Sequence, residues 1–541
     1  MRDFRLSLAE VDAALMSEES DSDTRPAVRP ELAELRERLA ATSDAARPAA
    51  VSRRRERGQR MIRESIAALV DDGSFVEYGA LALAAQRLRY SIDELVRRTP
   101  ADGIVCGFAS VNGADFDAEH ARTIICAYDY TVMAGTQGMV SHRKLDRMLE
   151  LAHKWRAPVV LFAEGGGGRP NDTDSQTASA LDTPSFYSYA ALSGLVPRIG
   201  IVSGRCYAGN AALLGCSDVI IAAEDSNIGM GGPAMVEAGG LGKYAPEDIG
   251  PIDVQCKNGV VDIRVKDEIE AVAVARRYLS YFQGPLESWK SAGQTSLRDA
   301  LPDNRRRAYK IRPILETVAD QGSVLELRRD FGRSVVTALA RLEGEAFGLL
   351  ANDTHHLGGA VDGDAADKAA RFLQLCDAFG LPIVSFMDTP GFMVGPKAEA
   401  TALVRRVSRM FVAAASLSVP VFSVVLRKGY GLGAQAMAGG HFLAPVFTIA
   451  WPTGEFGAMN LEGAVRLAMK KELEAIEDPQ AREQAVQAFV SVAHERGKAI
   501  NTASLLELDA VVDPADTRSV LLRGFRSVPR PARKHRMVDT W

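Results

Sequence analysis

Two stretches decide the fold: Ala157-Pro158-Val159-Val160-Leu161-Phe162-Ala163-Glu164 and, 224 residues later, Leu381-Pro382-Ile383-Val384-Ser385-Phe386-Met387-Asp388. Each is a short apolar run that ends in an acid and passes into a glycine-containing loop, the pattern of a strand buried on both faces. A match of this kind far along the chain points to an internal repeat.

The match extends outward from both copies. Upstream at the same offset, Asp129 pairs with Asp353, Gly135 with Gly359 and Lys144 with Lys368. A helix-spaced segment follows in each copy, HRKLDRMLELAHKW in the first and ADKAARFLQLCDAF in the second. Downstream, one residue out of step, Val196 to Val202 matches Val419 to Val425. A second glycine-containing turn then appears in each, GRCYAGNAALLG and RKGYGLGAQAMAGG, with Tyr207 and Tyr430 in register, and a third strand follows, DVIIAAED and PVFTIAWP. Strands alternating with helices predict two similar α/β units with largely parallel sheets, about Asp71 to Gln283 and Ser323 to Asp509.

In domain terms, residues 1–50 read as a polar extension, 51–290 as a first domain, 291–322 as a linker with some local structure, and 323–541 as a second domain. The extension holds one short amphipathic stretch, Pro30 to Ala41. From Arg53 the run RRRERGQRMIRESIAALVDDGSF places Met61, Ile62, Ile66, Leu69 and Val70 at helical spacing, which predicts a basic helix that stops at Asp71-Asp72-Gly73. Its arginines are candidates for phosphate contacts, although a solvated face is the commoner meaning of such a run.

Composition bounds the function. With 541 residues, 47% hydrophobic and 25% charged, the chain is an ordinary globular protein long enough for more than one domain. A net charge of −5 with scattered basic residues argues against a nucleic-acid partner. No apolar run reaches the roughly 20 residues of a membrane span, and the start of the chain lacks a secretory core, so a cytoplasmic location without membrane contact is expected. Six dispersed cysteines with no CxxC pair predict reduced thiols and no metal site, and the adjacent His355 and His356 read as loop or surface residues.

The chemistry is concentrated in the turns. Each second turn is a run of small residues between a strand end and a helix, where backbone N–H groups lack helical partners and the dipole favours a negative oxygen. Candidate donors are Ala208 and Gly209 in the first unit and Leu432 and Gly433 in the second, with Gly431 and Ala434 as neighbours able to replace the latter pair. One such turn alone is better explained by close helix–sheet packing, but paired turns at equivalent positions favour two oxyanion holes. The loops Gly165-Gly166-Gly167 and Pro390-Gly391-Phe392 are placed to complete the walls of the same clefts. Neither GxxxxGK[ST], GxGxxG after a strand, nor GxSxG occurs, so nucleotide cradling and a serine nucleophile are unsupported. Glu164 and Asp388 invite a general-base reading, but an acid capping the next turn is the plainer one.

These residues resemble a known family, the carboxyltransferase (beta) subunits of biotin-dependent acyl-CoA carboxylases of the propionyl-CoA and methylcrotonyl-CoA carboxylase type. The resemblance rests on GVVDIRVKDEIEAVAVARRYLSYF, on the long stretch from GLLANDTHHLGGAVDG to FMDTPGFMVG, on RKGYGLGAQAM and on GEFGAMNLEGAV, and it runs from about Arg53 to the end. It implies two tandem crotonase-like (ClpP/crotonase) domains related by internal duplication. Its first unit is expected to bind acyl-CoA and its second to bind biotin carried on a partner. The implied reaction releases CO₂ from carboxybiotin beside the thioester, the ureido anion removes the α-proton, and the enolate attacks the CO₂. Ala208 and Gly209 are expected to steady the enolate, and Leu432 and Gly433 the biotin oxygen. No ATP-grasp segment is present, so a biotin carboxylase and biotin carboxyl carrier are implied partners, around a core of six copies.

The chain departs from the propionyl type, having CYAGNA and YGLGAQ where CAGGA and YGGAYD are usual, closer in spacing to the methylcrotonyl type. Tyr207, Asn210 and Gln435 are therefore candidate substrate-binding residues. Lys470 in Ala468-Met469-Lys470 looks like a biotinylation lysine, but its neighbour Lys471 and the charged helical surroundings make it ordinary helix. The competing readings are a one-unit hydratase, disfavoured by the duplication, a decarboxylase subunit running the half-reaction backwards, and a non-catalytic scaffold.

Overall fold

The computed structural model describes residues 29–174, 179, 181–529 and 535–541. The first unit is built on β1 (Val76–Tyr78), β2 (Ile104–Ser110), β3 (Arg122–Tyr128), β4 (Val159–Phe162), β5 (Arg198–Val202), β6 (Arg205–Tyr207), β7 (Val219–Ala223), β8 (Asn227–Gly229) and β9 (Ile263–Val265). Seven of these form one sheet in the order β1-β2-β3-β4-β5-β7-β9, antiparallel at the first two pairings and parallel thereafter, while β6 and β8 pair by themselves.

The second unit repeats the plan with β10 (Leu325–Leu327), β11 (Val335–Leu342), β12 (Glu345–Asn352), β13 (Ile383–Thr389), β14 (Val421–Tyr430), β15 (Phe447–Ala450), β16 (Glu455–Gly457) and β17 (Ala510–Val511). Its order is β10-β11-β12-β13-β14-β15-β17, again two antiparallel pairings followed by parallel ones, with β16 on the far end of β14. Here β14 is one long strand whose ends do the work of β5 and β6. The duplication is therefore visible in topology, and the α/β class with two tandem crotonase-like units holds.

Equivalent hydrogen bonds make the repeat exact in places. Gln137 N–H donates to Gly167 O at 2.7 Å and Val361 N–H to Gly391 O at 3.0 Å, while Arg169 N–H donates to Gln137 O and Met393 N–H to Val361 O. Gly135 (φ +62°) lies against the Glu164 carbonyl and Gly359 (φ +87°) against the Asp388 carbonyl, so no Cβ fits at either position. The matched lysines are both buried: Lys144 donates to the carbonyls of Ala101 and Ile104, and Lys368 to that of Phe331.

The helices expected after β3 and β12 are Met139–Trp155 and Gly363–Phe379. The helix Glu268–Gln283 places Tyr278, Leu279 and Tyr281 in an apolar core that runs on to Phe372 and Leu373 of the second unit, so the two units share one core. The stretch 291–322 is more than a connector. Tyr309, Ile311, Ile314, Leu315 and Val318 are buried against the outer face of the second sheet, with Ile311 to Val318 at helical spacing and a helix over Arg312–Val318. The amphipathic stretch in the extension is the helix Pro30–Ala40, and residues 1–28 lie outside the described residues.

The basic run is corrected. It is two helices, Pro48–Glu56 and Ile62–Leu69, broken at Gly58, whose φ of +70° ends the first. Arg54 does not face solvent: it is buried and paired with Glu164 at 2.7 Å and Glu268 at 2.9 Å. Lys470 opens a short helix, Lys470–Glu474.

Candidate active site

In the first unit, the strand β6 hands over to the helix Gly209–Gly215 at Ala208, whose φ of +50° and ψ of −121° are rare for a residue with a side chain. Such a conformation costs about 1–3 kcal/mol and is held by its surroundings. Here the Ala208 N–H donates to Gly229 O at 3.1 Å, and the Ala208 carbonyl accepts the first helical bond from Ala212 at 2.8 Å. Gly209 is thus the first helical residue, where an amide has no acceptor within its own helix.

The glycine loop is brought onto this turn. Tyr207 N–H donates to Gly165 O at 2.9 Å and Gly165 N–H to Arg205 O at 2.8 Å. A Cβ on Gly167 would stand 2.6 Å from the Ala208 Cβ, and one on Gly165 would collide with the Asn210 side chain. Gly166 forms the exposed crest of the loop. Asn210 is fully buried: its Oδ1 accepts Gly167 N–H at 2.9 Å and its Nδ2 donates to Gly135 O at 3.3 Å. Expected from sequence to discriminate substrates directly, this side chain instead clasps the loop. Tyr207 is buried as well, its O–H donating to Pro246 O at 2.9 Å.

In the second unit the positive φ falls on Gly431 (+59°), so Gly431 and Leu432 occupy the places of Ala208 and Gly209, one residue earlier than the pairing of Leu432–Gly433 with Ala208–Gly209. The helix that follows is Gly431–Met437. Its Gly433 approaches the other loop so closely that a Cβ would lie 2.5 Å from Gly391 C and 2.8 Å from Phe392 N. Gly391 in turn stands over the Tyr430 carbonyl, just as Gly167 stands over that of Tyr207. Thr389 Oγ1 accepts Gly391 N–H at 3.1 Å, and Pro390 lies between them at the turn. Phe392 packs edge-on against Phe411. Ala434 is buried, whereas Leu432 is 61% exposed and Gln435 is exposed. The tyrosine before this turn, Tyr430, is buried and donates to Glu455 Oε1 at 2.8 Å.

The acids at the strand ends are not turn caps. Glu164 is held by Arg54, and Asp388 by Arg427 at 2.9 Å with Lys428 N–H donating at 3.2 Å. Burial pushes the Glu164 carboxyl up to about 8, with Arg54 pulling in the opposite direction. Pinned in these pairs, neither acid is free to serve a substrate at the turn, a signal that sequence spacing alone does not carry. His355 and His356 lie in the loop after β12, and among the described residues no three His, Cys, Asp or Glu side chains gather as metal ligands.

The arrangement is that of a duplicated α/β protein with a small-residue strand-to-helix turn and a glycine loop packed against it at equivalent places in its two units. A family model described as carboxyl transferase domain matches residues 53–537. The chain belongs to that family, as an enzyme of the class that includes the carboxyltransferase subunits of acyl-CoA carboxylases. It is 31% identical over 544 residues to the biotin-dependent long chain acyl-coenzyme A carboxylase beta4 subunit of Mycobacterium tuberculosis, covering 94% of this chain and 97% of that one. The methylmalonyl-CoA carboxyltransferase 12S subunit of Propionibacterium freudenreichii is 29% identical over 506 residues, covering 90% and 92%.

Among solved structures, a single-chain, multi-domain long-chain acyl-CoA carboxylase is 55% identical with a TM-score of 0.87, and the match covers 92% of this chain. This chain spans about half of that one, 49%. The transcarboxylase 12S hexamer with methylmalonyl-CoA bound is 28% identical with a TM-score of 0.80, covering 96% of this chain and all of that one.

Proposed function

We propose that this chain moves a carboxyl group between carboxybiotin and the α-carbon of a long-chain acyl-CoA, with residues 51–290 taking the thioester and 323–541 the biotin. The observation that carries the reading is the pair of matched turns, each with a positive-φ joint, a helix opening on small residues and a glycine loop laid across it. The long-chain assignment draws on the 55% identity with a long-chain carboxylase.

The thioester oxygen would rest at the first turn on the amide of Gly209, the first helical residue, while the Ala208 amide, expected from sequence to be the second donor, is engaged by Gly229 O and holds the turn in shape. As negative charge grows on that oxygen, a fixed N–H dipole contributes more than in the ground state, and losing one such donor typically costs about 3 kcal/mol of barrier. Gly165 and Gly167 wall the cleft because no side chain fits between loop and turn, and Gly166 forms the exposed crest of that wall.

The second turn suits a biotin ring: Leu432 and Gly433 offer amides beside Gly431 and Ala434, and the Leu432 side chain is an exposed apolar group among them. Bound there, carboxybiotin supplies both the carboxyl group and the base for the α-proton. Pro390, Gly391 and Phe392 hold the opposite wall, and Gln435 stands at the rim. No side-chain base is needed, which agrees with Glu164 and Asp388 being engaged in ion pairs. The biotin would arrive on a biotin carboxyl carrier partner loaded by a biotin carboxylase, around a homo-hexameric core. Six unpaired cysteine thiols fit a cytoplasmic setting, and no described helix is long and apolar enough to cross a membrane.

The test is carboxyl transfer by the purified chain, using 2-carboxyacyl-CoAs of graded length with free biotin and following formation of the decarboxylated acyl-CoA. Biotin-dependent turnover rising with chain length is the expected outcome. Turnover restricted to methylmalonyl-CoA would replace the long-chain assignment, and none with any thioester would leave a scaffold.

A further inference from the structure

The segment between β8 and Pro246 is attached to the first turn at three points. The Gly229 carbonyl holds the Ala208 amide, Gly232 lies against the Tyr207 ring (3.0 Å from a Cβ placed there), and the Pro246 carbonyl accepts the Tyr207 hydroxyl at 2.9 Å. Between these anchors no residue from Met230 to Pro246 is buried, and the helix Pro233–Ala238 buries none of its side chains.

The flap is nevertheless apolar. Met230 is 69% exposed, Met235 61%, Leu241 71% and Tyr244 52%. A short helix with an uncovered apolar surface loses the burial that ordinarily stabilises helices, so this surface is built to be covered. Gly240 (φ +72°) and Gly242 (φ +108°) interrupt it with backbone that side chains disfavour, and a Cβ on Gly240 would meet nothing within 4 Å. Methionine is the side chain best suited to an apolar ligand of variable shape, being unbranched and polarizable.

We infer that this flap, Met230 to Tyr244, is the receptor for the acyl chain, and that Met230, Met235 and Leu241 set chain-length preference. The inference rests on the long-chain reading above. All three anchors converge on Tyr207 and Ala208, so the flap borders the turn at which the thioester is placed. Each methylene transferred from water to such a surface is worth roughly fourfold in binding, so a flap this size can separate short from long chains by a large factor.

The test uses the full-length protein and a hexadecanoyl-CoA bearing a diazirine at its terminal carbon. Photolabelling followed by peptide mapping is expected to place adducts within residues 230–244, and Met235→Ser is expected to lower the ratio of long-chain to short-chain kcat/KM about tenfold, mainly through KM. Wild-type turnover that rises with chain length but is unchanged by Met235→Ser, with adducts elsewhere, overturns the flap and leaves the long-chain reading standing. Turnover confined to short chains overturns both. Dissociation of the oligomer by Met235→Ser would show that a second copy covers this face, and would also overturn the inference.

Discussion

Asn210 and Gly167 are joined by a 2.9 Å hydrogen bond from the glycine amide to the asparagine Oδ1, so the residue after the first turn also positions the wall opposite it. Because Asn210 is fully buried and its Nδ2 donates to Gly135 O, it ties three backbone segments at one point. Asn210→Ala leaves the Gly167 amide and the Gly135 carbonyl without this partner, a loss of about 1–3 kcal/mol in stability. Activity is expected to fall with it, mainly in kcat, since the loop shifts against the thioester. Thermal unfolding and steady-state kinetics of the variant check both.

Gly431 and Gly433 separate two kinds of glycine requirement. At Gly431 a side chain meets a left-handed backbone and the Ala458 carbonyl, 2.9 Å from a Cβ, so Gly431→Ala is expected to cost about 1–2 kcal/mol. At Gly433 the added methyl strikes Gly391 and Phe392, so Gly433→Ala must push the loop away. Its expected signature is loss of biotin-dependent turnover with acyl-CoA affinity retained, measured by calorimetric titration.

Arg54 bridges the buried Glu164 and the half-buried Glu268, and both have carboxyl pKa values raised by desolvation, Glu164 to about 8. A folded pKa above the unfolded one means that the native state binds more protons than the unfolded state between about pH 4.5 and 8, so stability from Glu164 falls as pH rises through that window. Arg54→Met removes the influence that lowers both acids. The variant is expected to lose about 3 kcal/mol or more at pH 8.5, and less at pH 6, where the carboxyls can stay protonated. Melting temperatures at the two pH values test this.

The segment His535 to Trp541 straps the units together. Ser193 of the first unit exchanges hydrogen bonds with the Val538 backbone at 2.8 and 2.9 Å, while Arg536 pairs with Asp377 and Trp541 donates to Asp367 in the second. Val538 is buried, so Val538→Ala is expected to cost about 1–2 kcal/mol, read as a lowered denaturant midpoint with an unchanged slope.

Much of the fold was legible because its signals are local. Val159 to Ala163 and Ile383 to Met387 are largely apolar runs bounded by Pro and an acid, and the helices preceding them keep the 3.6-residue spacing. The turns were legible as runs of small residues. The break at Gly58 escapes the sequence pattern because the helically spaced residues Met61, Ile62, Ile66, Leu69 and Val70 all follow it, and the charged run Arg53 to Arg57 before it carries no apolar signal of its own. The buried face of residues 309–318 was passed over because arginines and prolines surround it.

By itself the sequence determined the duplication, the α/β class and the positions of the turns, since each depends on residues adjacent in the chain or on comparison of one half with the other. Only the tertiary structure decided that Asn210 clasps a loop, that Glu164 and Asp388 are spent in ion pairs, and that Gly431 is the joint equivalent to Ala208. These are consequences of which side chains meet after residues 110 positions apart, such as Arg54 and Glu164, are brought into one buried space, where the cost of an unpaired charge dictates the partners.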